Sequence, residues 1–261
     1  MSFADAKQRF SNRVADYVRY RPSYPSALVD LLRDECGLRP DHVIADVGSG
    51  TGILSKMFLE NGNRVFGVEP NDEMRRAGEE YLSACKKFSS IVGSAEATTL
   101  PDAGVDFVTV AQAFHWFEPA AARTEFQRIL RREGFVVIVW NDRLFDTTPF
   151  LREYEVLLHR FGNDYAKVSE SYPRQAQIQE FFAPNIFLHR SFPNFQEFDC
   201  DGVRGRLRGS SYVPSPDQPA FAPMMVELER IFSAHQHDGR VRMDYTTHVY
   251  FGRLAATRNS A

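Results

Sequence analysis

Asp46-Val47-Gly48-Ser49-Gly50-Thr51-Gly52 follows the apolar run Val43 to Val47 and leads into a helical pattern from Ile53. A strand, a glycine turn and a helix in that order leave few folds open. Glycines at alternate positions permit a tight turn and let the backbone approach a ligand with no Cβ in the way. The spacing is G-x-G-x-G, whereas the dinucleotide fingerprint G-x-G-x-x-G shapes a helix N-terminus to receive a pyrophosphate. The loop therefore favours a nucleoside without phosphate, and the plainer alternative is a glycine-rich structural turn.

Short β-branched runs alternate with helical periods through the first half of the chain. Strands are predicted at Val43 to Val47, Arg64 to Glu69, Phe88 to Val92, Val105 to Gln112 and Phe135 to Asn141. Helices are predicted at Ile53 to Asn61, Asp72 to Ala84 and Pro119 to Arg131, which together make a parallel sheet with crossover helices. Two helices, Ala4 to Arg19 and Ser26 to Glu35, precede the first strand, and Pro22 and Pro25 interrupt them. This N-terminal pair either lies over the open end of the sheet as a lid or packs on its flank.

Beyond Asn141, Pro149 to Phe161, Arg174 to Phe182 and Ala220 to Ala234 read as helices, Ile186 to Phe198 as a strand or hairpin, and Val241 to Phe251 as a last strand. The expected fold is α/β: a Rossmann-like, doubly wound sheet of about seven strands with an antiparallel final strand pair and an N-terminal helical lid. The 261 residues suit one domain. Its parts would be a lid over 1–40, a ligand-binding core over 41–141, and a remainder over 142–261 that completes the sheet and the substrate side.

In such a sheet the strand ends border the ligand crevice. Glu69 ends the second strand, where a carboxylate can accept from both ribose hydroxyls and would repel a 2′-phosphate; otherwise it is a solvated strand-end acid. Gly93-Ser94-Ala95-Glu96 closes the third strand. Ser94 or Glu96 is placed to accept from an adenine amine and the Ala95 amide to donate to a ring nitrogen, although a surface turn has the same local pattern.

The segments DVGSGTG, VFGVEPNDEM, GSAEATTLP and VDFVTVAQAFHWF together resemble the motif series of class I S-adenosylmethionine (SAM)-dependent methyltransferases with the methyltransferase type 11 domain. RVADYVRYRPSYP and AQAFHWF are similar to the trans-aconitate-methyltransferase-like group, and the match runs from about Phe10 to Asn141. The resemblance implies that SAM is the cofactor and S-adenosylhomocysteine the product. It implies that Asp46, Gly48, Ser49, Gly50 and Gly52 border the methionine part, Glu69 the ribose, and Asn71 and Met74 the adenosine side, with Thr51, Pro70, Ser94, Ala95, Glu96 and Ala111 completing the cofactor-binding set. Many members carry Asp where this chain has Ser94, which leaves Glu96 as a competing adenine contact.

Methyl transfer from a sulfonium is an in-line displacement in which orientation alone contributes roughly 7–11 kcal/mol in well-aligned systems. A base is needed only when the acceptor must lose a proton. Gln112, His115 and Trp116 follow the fourth strand at the reacting end; His115 is either a base or a group that shapes the pocket, and Trp116 a pocket wall. Tyr17, Tyr20 and Arg21 look like lid residues of the related group, and Trp140 lies on the substrate side. Arg21 and Arg143 are either forks for a carboxylate or members of surface ion pairs. A carboxylate acceptor, which the resemblance implies, would need no base.

A formal net charge of -3 lacks the basic excess of a nucleic-acid binder. Arg204, Arg206 and Arg208 are read as a solvated face. Cys36, Cys85 and Cys200 stand far apart, and no histidine spacing marks a metal site; His235 and His237 are read as isolated from carboxylates. No apolar leader or membrane span is seen, so a cytoplasmic monomer or homodimer acting on a small-molecule acceptor is expected, with no membrane partner. The leading reading is an O-methyltransferase acting on a carboxylate. The alternatives are a C- or N-methyltransferase, a SAM-binding protein without catalysis, and an NAD-dependent oxidoreductase, which the glycine spacing disfavours.

Overall fold

The structure, a computed structural model, describes residues 19–163, 165, 175–210 and 212–254. Most of the expected first helix, and Tyr17, fall outside the described residues. Seven strands form one sheet: β1 (Val43–Val47), β2 (Arg64–Val68), β3 (Phe88–Ile91), β4 (Val105–Ala111), β5 (Leu130–Arg143), β6 (Phe187–Phe198) and β7 (Val241–Gly252). Their order is β3-β2-β1-β4-β5-β7-β6, with β1 to β5 mutually parallel and β7 antiparallel to both neighbours.

Eight α-helices lie among the described residues: α1 (Ala27–Cys36), α2 (Ile53–Glu60), α3 (Asp72–Tyr81), α4 (Pro119–Ile129), α5 (Pro149–Phe161), α6 (Gln175–Phe182), α7 (Cys200–Arg208) and α8 (Phe221–His235). None is long and apolar enough to cross a membrane.

Parallel strands covered on both faces read as continuous apolar runs, because both side-chain directions meet helices. Ile44, Ala45 and Val47 of β1 and Val136 to Val139 of β5 are accordingly inaccessible to solvent. Phe58, Phe107, Phe126, Phe181 and Phe182 are fully buried too, so much of the phenylalanine content fills core. Each such ring contributes about 1.5–3 kcal/mol over its exposed state. The strand order reverses between β1 and β4, and the carboxyl ends of that pair open the crevice where such sheets take ligands.

The last two strands form the expected antiparallel pair, with α7 and α8 between β6 and β7 in the chain. Helix α7 was missed: its two glycines and three arginines make a poor helical sequence, and packing of Val203 and Leu207 in an apolar cluster overrides that propensity. Its basic residues are not one solvated face, since Arg204 pairs with Asp201 and Glu229 at the surface while Arg206 is only 7% exposed. Lastly, β5 begins at Leu130, directly after α4, five residues before the apolar run that marked it in the sequence.

Candidate active site

The glycine turn is held by the strand beside it. Gly48 and Ser49 donate their amides to the Val68 carbonyl at 2.9 and 3.2 Å, which fixes the turn over the end of β2. Gly48 has φ +68°, and a Cβ there would lie 2.6 Å from the Ala113 Cβ, so glycine is required both by conformation and by the close approach of the segment after β4. Thr51 is 2% exposed, and its hydroxyl has no hydrogen-bond partner.

Glu69 is not a solvated strand-end acid. It is 8% exposed, and its two oxygens accept from the Gly50 and Asn71 amides, each at 2.8 Å. Burial raises its pKa while those two bonds oppose the rise. The carboxylate thus ties the glycine turn to the loop entering α3, and its remaining lone pairs are what a ligand would meet. Pro70, the next residue, is half-buried.

Asp46 lies deeper than expected. It accepts from Ser55 Oγ at 2.6 Å and Thr109 Oγ1 at 3.1 Å, and burial pushes its pKa up to about 6. The folded state therefore binds the proton more tightly than the unfolded chain. Stability falls as pH rises from about 4 to about 6, by roughly 3 kcal/mol for a two-unit shift, and levels off above that. Asp46→Asn should remove this component: chemical denaturation across pH 4 to about 7.5 is expected to give the variant a shallower decline than the wild type. Parallel curves would mean that Asp46 ionises in the fold as it does in the open chain.

Two expected adenosine contacts are otherwise engaged. The Asn71 side-chain oxygen caps α3, accepting from the Glu73 and Met74 amides at 3.0 Å, because the first amides of a helix lack internal partners. Glu96 accepts from the Glu118 amide at 2.9 Å and so holds the start of α4. Ser94 pairs backbone to backbone with Ala97 in a tight turn, and Ala95 beside it is buried. Met74 is buried, with its methyl end directed toward Gly50.

A small cleft opens at the β1/β4 reversal, lined by Gly48, Ser49, Gly50, Thr51, Asp46, Ala111 and Gln112. Tyr24, Ile53 and Leu54 also line it, and sequence reasoning missed all three. The two prolines flanking Ser23-Tyr24 were the available signal for that tyrosine. Gln112 has φ +54°, a conformation costly for a residue with a side chain. Its Nε2 donates to the Asn141 carbonyl at 3.0 Å, and its buried Oε1 has no partner. Such acceptors are rare in native interiors, and strain of this kind gathers at ligand sites. The lining holds no lysine or arginine, and its one charged side chain is acidic.

His115 and Trp116 sit on a short 3-10 helix, Phe114–Trp116. The imidazole packs 4.5 Å from the Trp116 ring and 5.1 Å from Trp140, centroid to centroid. Burial, reinforced by the Arg21 charge, pushes its pKa down to about 4, and its Nδ1 has no hydrogen-bond partner. Tyr20 covers α7, Ser23 accepts through its carbonyl from Asn141 Nδ2 at 3.2 Å and Asn194 Nδ2 at 2.8 Å, and Tyr24 reaches the cleft.

Arg143 is not available as an anion fork: its guanidinium bonds Glu155 and, at 2.8 Å, the Tyr165 hydroxyl, with Tyr154 under its face. His235 is likewise not isolated, since it meets Glu153 at 2.7 Å. No cluster of three or more potential metal ligands occurs among the described residues.

A family model described as a methyltransferase domain matches residues 45–138. An uncharacterized methyltransferase of Mycobacterium tuberculosis is 36% identical over 159 residues, 61% of this chain and 62% of that protein. The match therefore spans less than two thirds of the mycobacterial relative. An uncharacterized methyltransferase of Bacillus thuringiensis is 30% identical over 177 residues, 65% of this chain and 79% of that protein.

Among solved structures, a candidate type II methyltransferase from Anaeromyxobacter dehalogenans superposes with a TM-score of 0.66 at 22% identity, covering 91% of this chain and all of that one. An N-methyltransferase from Haemonchus contortus, solved with phosphomonomethylethanolamine and S-adenosylhomocysteine, gives 0.55 at 15% identity, covering 95% and 58%. These two likenesses concern the fold. The family model runs from within β1 to within β5, across the glycine turn and the β4 end that face each other over the cleft, and the Bacillus relative extends the likeness over most of its own length. The chain belongs to the methyltransferase-domain family.

Proposed function

We propose that the protein transfers a methyl group from SAM to a small-molecule acceptor, and that the acceptor oxygen is a carboxylate. Members of the methyltransferase family use SAM. The observation that carries the reading is the cleft at the β1/β4 reversal, where the Thr51 hydroxyl and Gln112 Oε1 are buried without partners beside a glycine turn. A lining with no cation and one acid favours a positively charged ligand and opposes a pyrophosphate.

The bound cofactor would supply a methyl group already activated by positive charge on sulfur. The glycine turn and Glu69 would hold its nucleoside and amino-acid ends, and Gln112 would orient what lies at the β4 end. A carboxylate acceptor would give up no proton on taking that methyl group, so this version asks none of the chain's own residues to act as a base. His115, neutral above a pKa of about 4, supports this version, because a general base works best with a pKa near the operating pH.

S-adenosylhomocysteine should raise the melting temperature by mass action, about 2.7 kcal/mol at one hundred times its Kd, while NAD at equal concentration should not. A larger response to NAD would overturn the cofactor assignment. With the acceptor in hand, single-turnover rates of His115→Asn should stay within about tenfold of wild type, below the 10²–10⁴-fold loss of a missing base. Neither protein should show a rate limb near pH 6.5. A limb there in the wild type, absent in the variant, would make His115 the base.

A further inference from the structure

Arg206 stands in the last turn of α7 within the cluster of α5, α7, α8 and β7, and it is 7% exposed. A guanidinium taken out of water is costly unless a carboxylate and hydrogen bonds replace the lost hydration. Its neighbour Arg143 has Glu155 for that purpose. Arg206 has no acidic partner among the described residues: it donates to Ser210 Oγ at 3.0 Å and to the Tyr245 hydroxyl, and its Nε meets no acceptor. The ionisable groups that act on it most strongly are the phenols of Tyr245, Tyr212 and Tyr154, which are uncharged at neutral pH.

The same spot lies beside the segment before α1. The Tyr20 ring rests on Gly205, where a Cβ would come within 2.0 Å of it, and Gln196 links the two sides by donating to the Tyr20 carbonyl at 3.3 Å while accepting from the Tyr245 hydroxyl at 3.1 Å. Four residues on, Tyr24 lines the cofactor cleft. The Cα atoms of Tyr20 and Tyr24 are separated by no more than about 14 Å, the reach of four extended residues. That is the span of a small metabolite.

We propose that Arg206 is the receptor for an oxyanion carried by the methyl acceptor, with the Tyr154 and Tyr212 hydroxyls as auxiliary donors and Tyr20 as the cover that must move to admit it. The inference rests on the methyltransferase reading for the word acceptor, but the anion site is testable without turnover. A planar fork with an empty Nε suits a carboxylate or a phosphoryl group, each of which takes two parallel N–H donors.

The test is a thermal-shift and calorimetric titration of the full chain with citrate and with inorganic phosphate, against chloride at matched ionic strength. The wild type should respond saturably to citrate or to phosphate, and which of them acts names the oxyanion. Arg206→Met should lose that response by about tenfold or more in apparent affinity and should melt no lower than wild type, because it removes a buried charge with no acidic partner among the described residues at nearly constant volume. Arg204→Met, at the surface, should leave the response unchanged.

Equal responses in wild type and Arg206→Met, or none in the wild type, would overturn the proposal. If Arg206→Met does not fold, Arg206→Lys decides: an undiminished response without the fork is equally fatal. S-adenosylhomocysteine binding to the wild type, measured in the same series, reports separately on the methyltransferase reading.

Discussion

Glu69→Ala is expected to lower stability by about 2–6 kcal/mol, since it strips the acceptor from two amides, Gly50 and Asn71, in a largely buried setting where each orphaned donor costs about 1–3 kcal/mol. A change confined to the ligand would leave the melting temperature nearly unmoved. Here both readouts should fall together: the turn between β1 and α2 loses its tie to the loop entering α3, and S-adenosylhomocysteine affinity drops with it. Glu69→Gln separates the effects, because one amide oxygen still accepts from one backbone amide while the charge is gone. Chemical denaturation and calorimetry on both variants make the comparison. Full stability in Glu69→Ala would mean that the two amides find water, and that Glu69 acts on the ligand alone.

Arg143→Ala should cost about 3 kcal/mol, the low end of the 3–5 kcal/mol seen when one partner of a buried pair is removed. The low end applies because Glu155 keeps 20% of its side-chain surface and has His159 at 3.3 Å as a second partner. The Tyr165 hydroxyl at 2.8 Å and the face of Tyr154 also lose their cation. Below its melting temperature the variant should keep the acceptor KM of the wild type, since the guanidinium is turned toward α5 rather than toward the cleft. A raised KM with unchanged stability would return Arg143 to the acceptor site.

The positions of the first five strands along the chain and that of the glycine turn were legible in the sequence. Strands covered on both faces are written as unbroken β-branched runs, and a turn that brings backbone against backbone admits only glycine at Gly48. The carbon skeleton of the candidate site follows from those two local rules. What the side chains there do was less legible, because a polar residue at a strand end has the same local pattern whether it faces solvent, a helix amide or a ligand.

Glu69, Asn71 and Glu96 all stand where cofactor contacts were expected, yet each is engaged by backbone amides that come from other loops or helices, or from the helix it opens. The ionisation of His115 is likewise a tertiary property: Trp116, Trp140 and Arg21 surround it from three parts of the chain, and only their assembly drives its pKa from the usual 6.5 down to about 4. The C-terminal third depended on assembly most of all. Helix α7 has too little intrinsic propensity to be read locally, and whether Arg206 or Arg143 is the guanidinium left without a carboxylate among the described residues was decided by which one Glu155 happened to meet when α5 packed against β7.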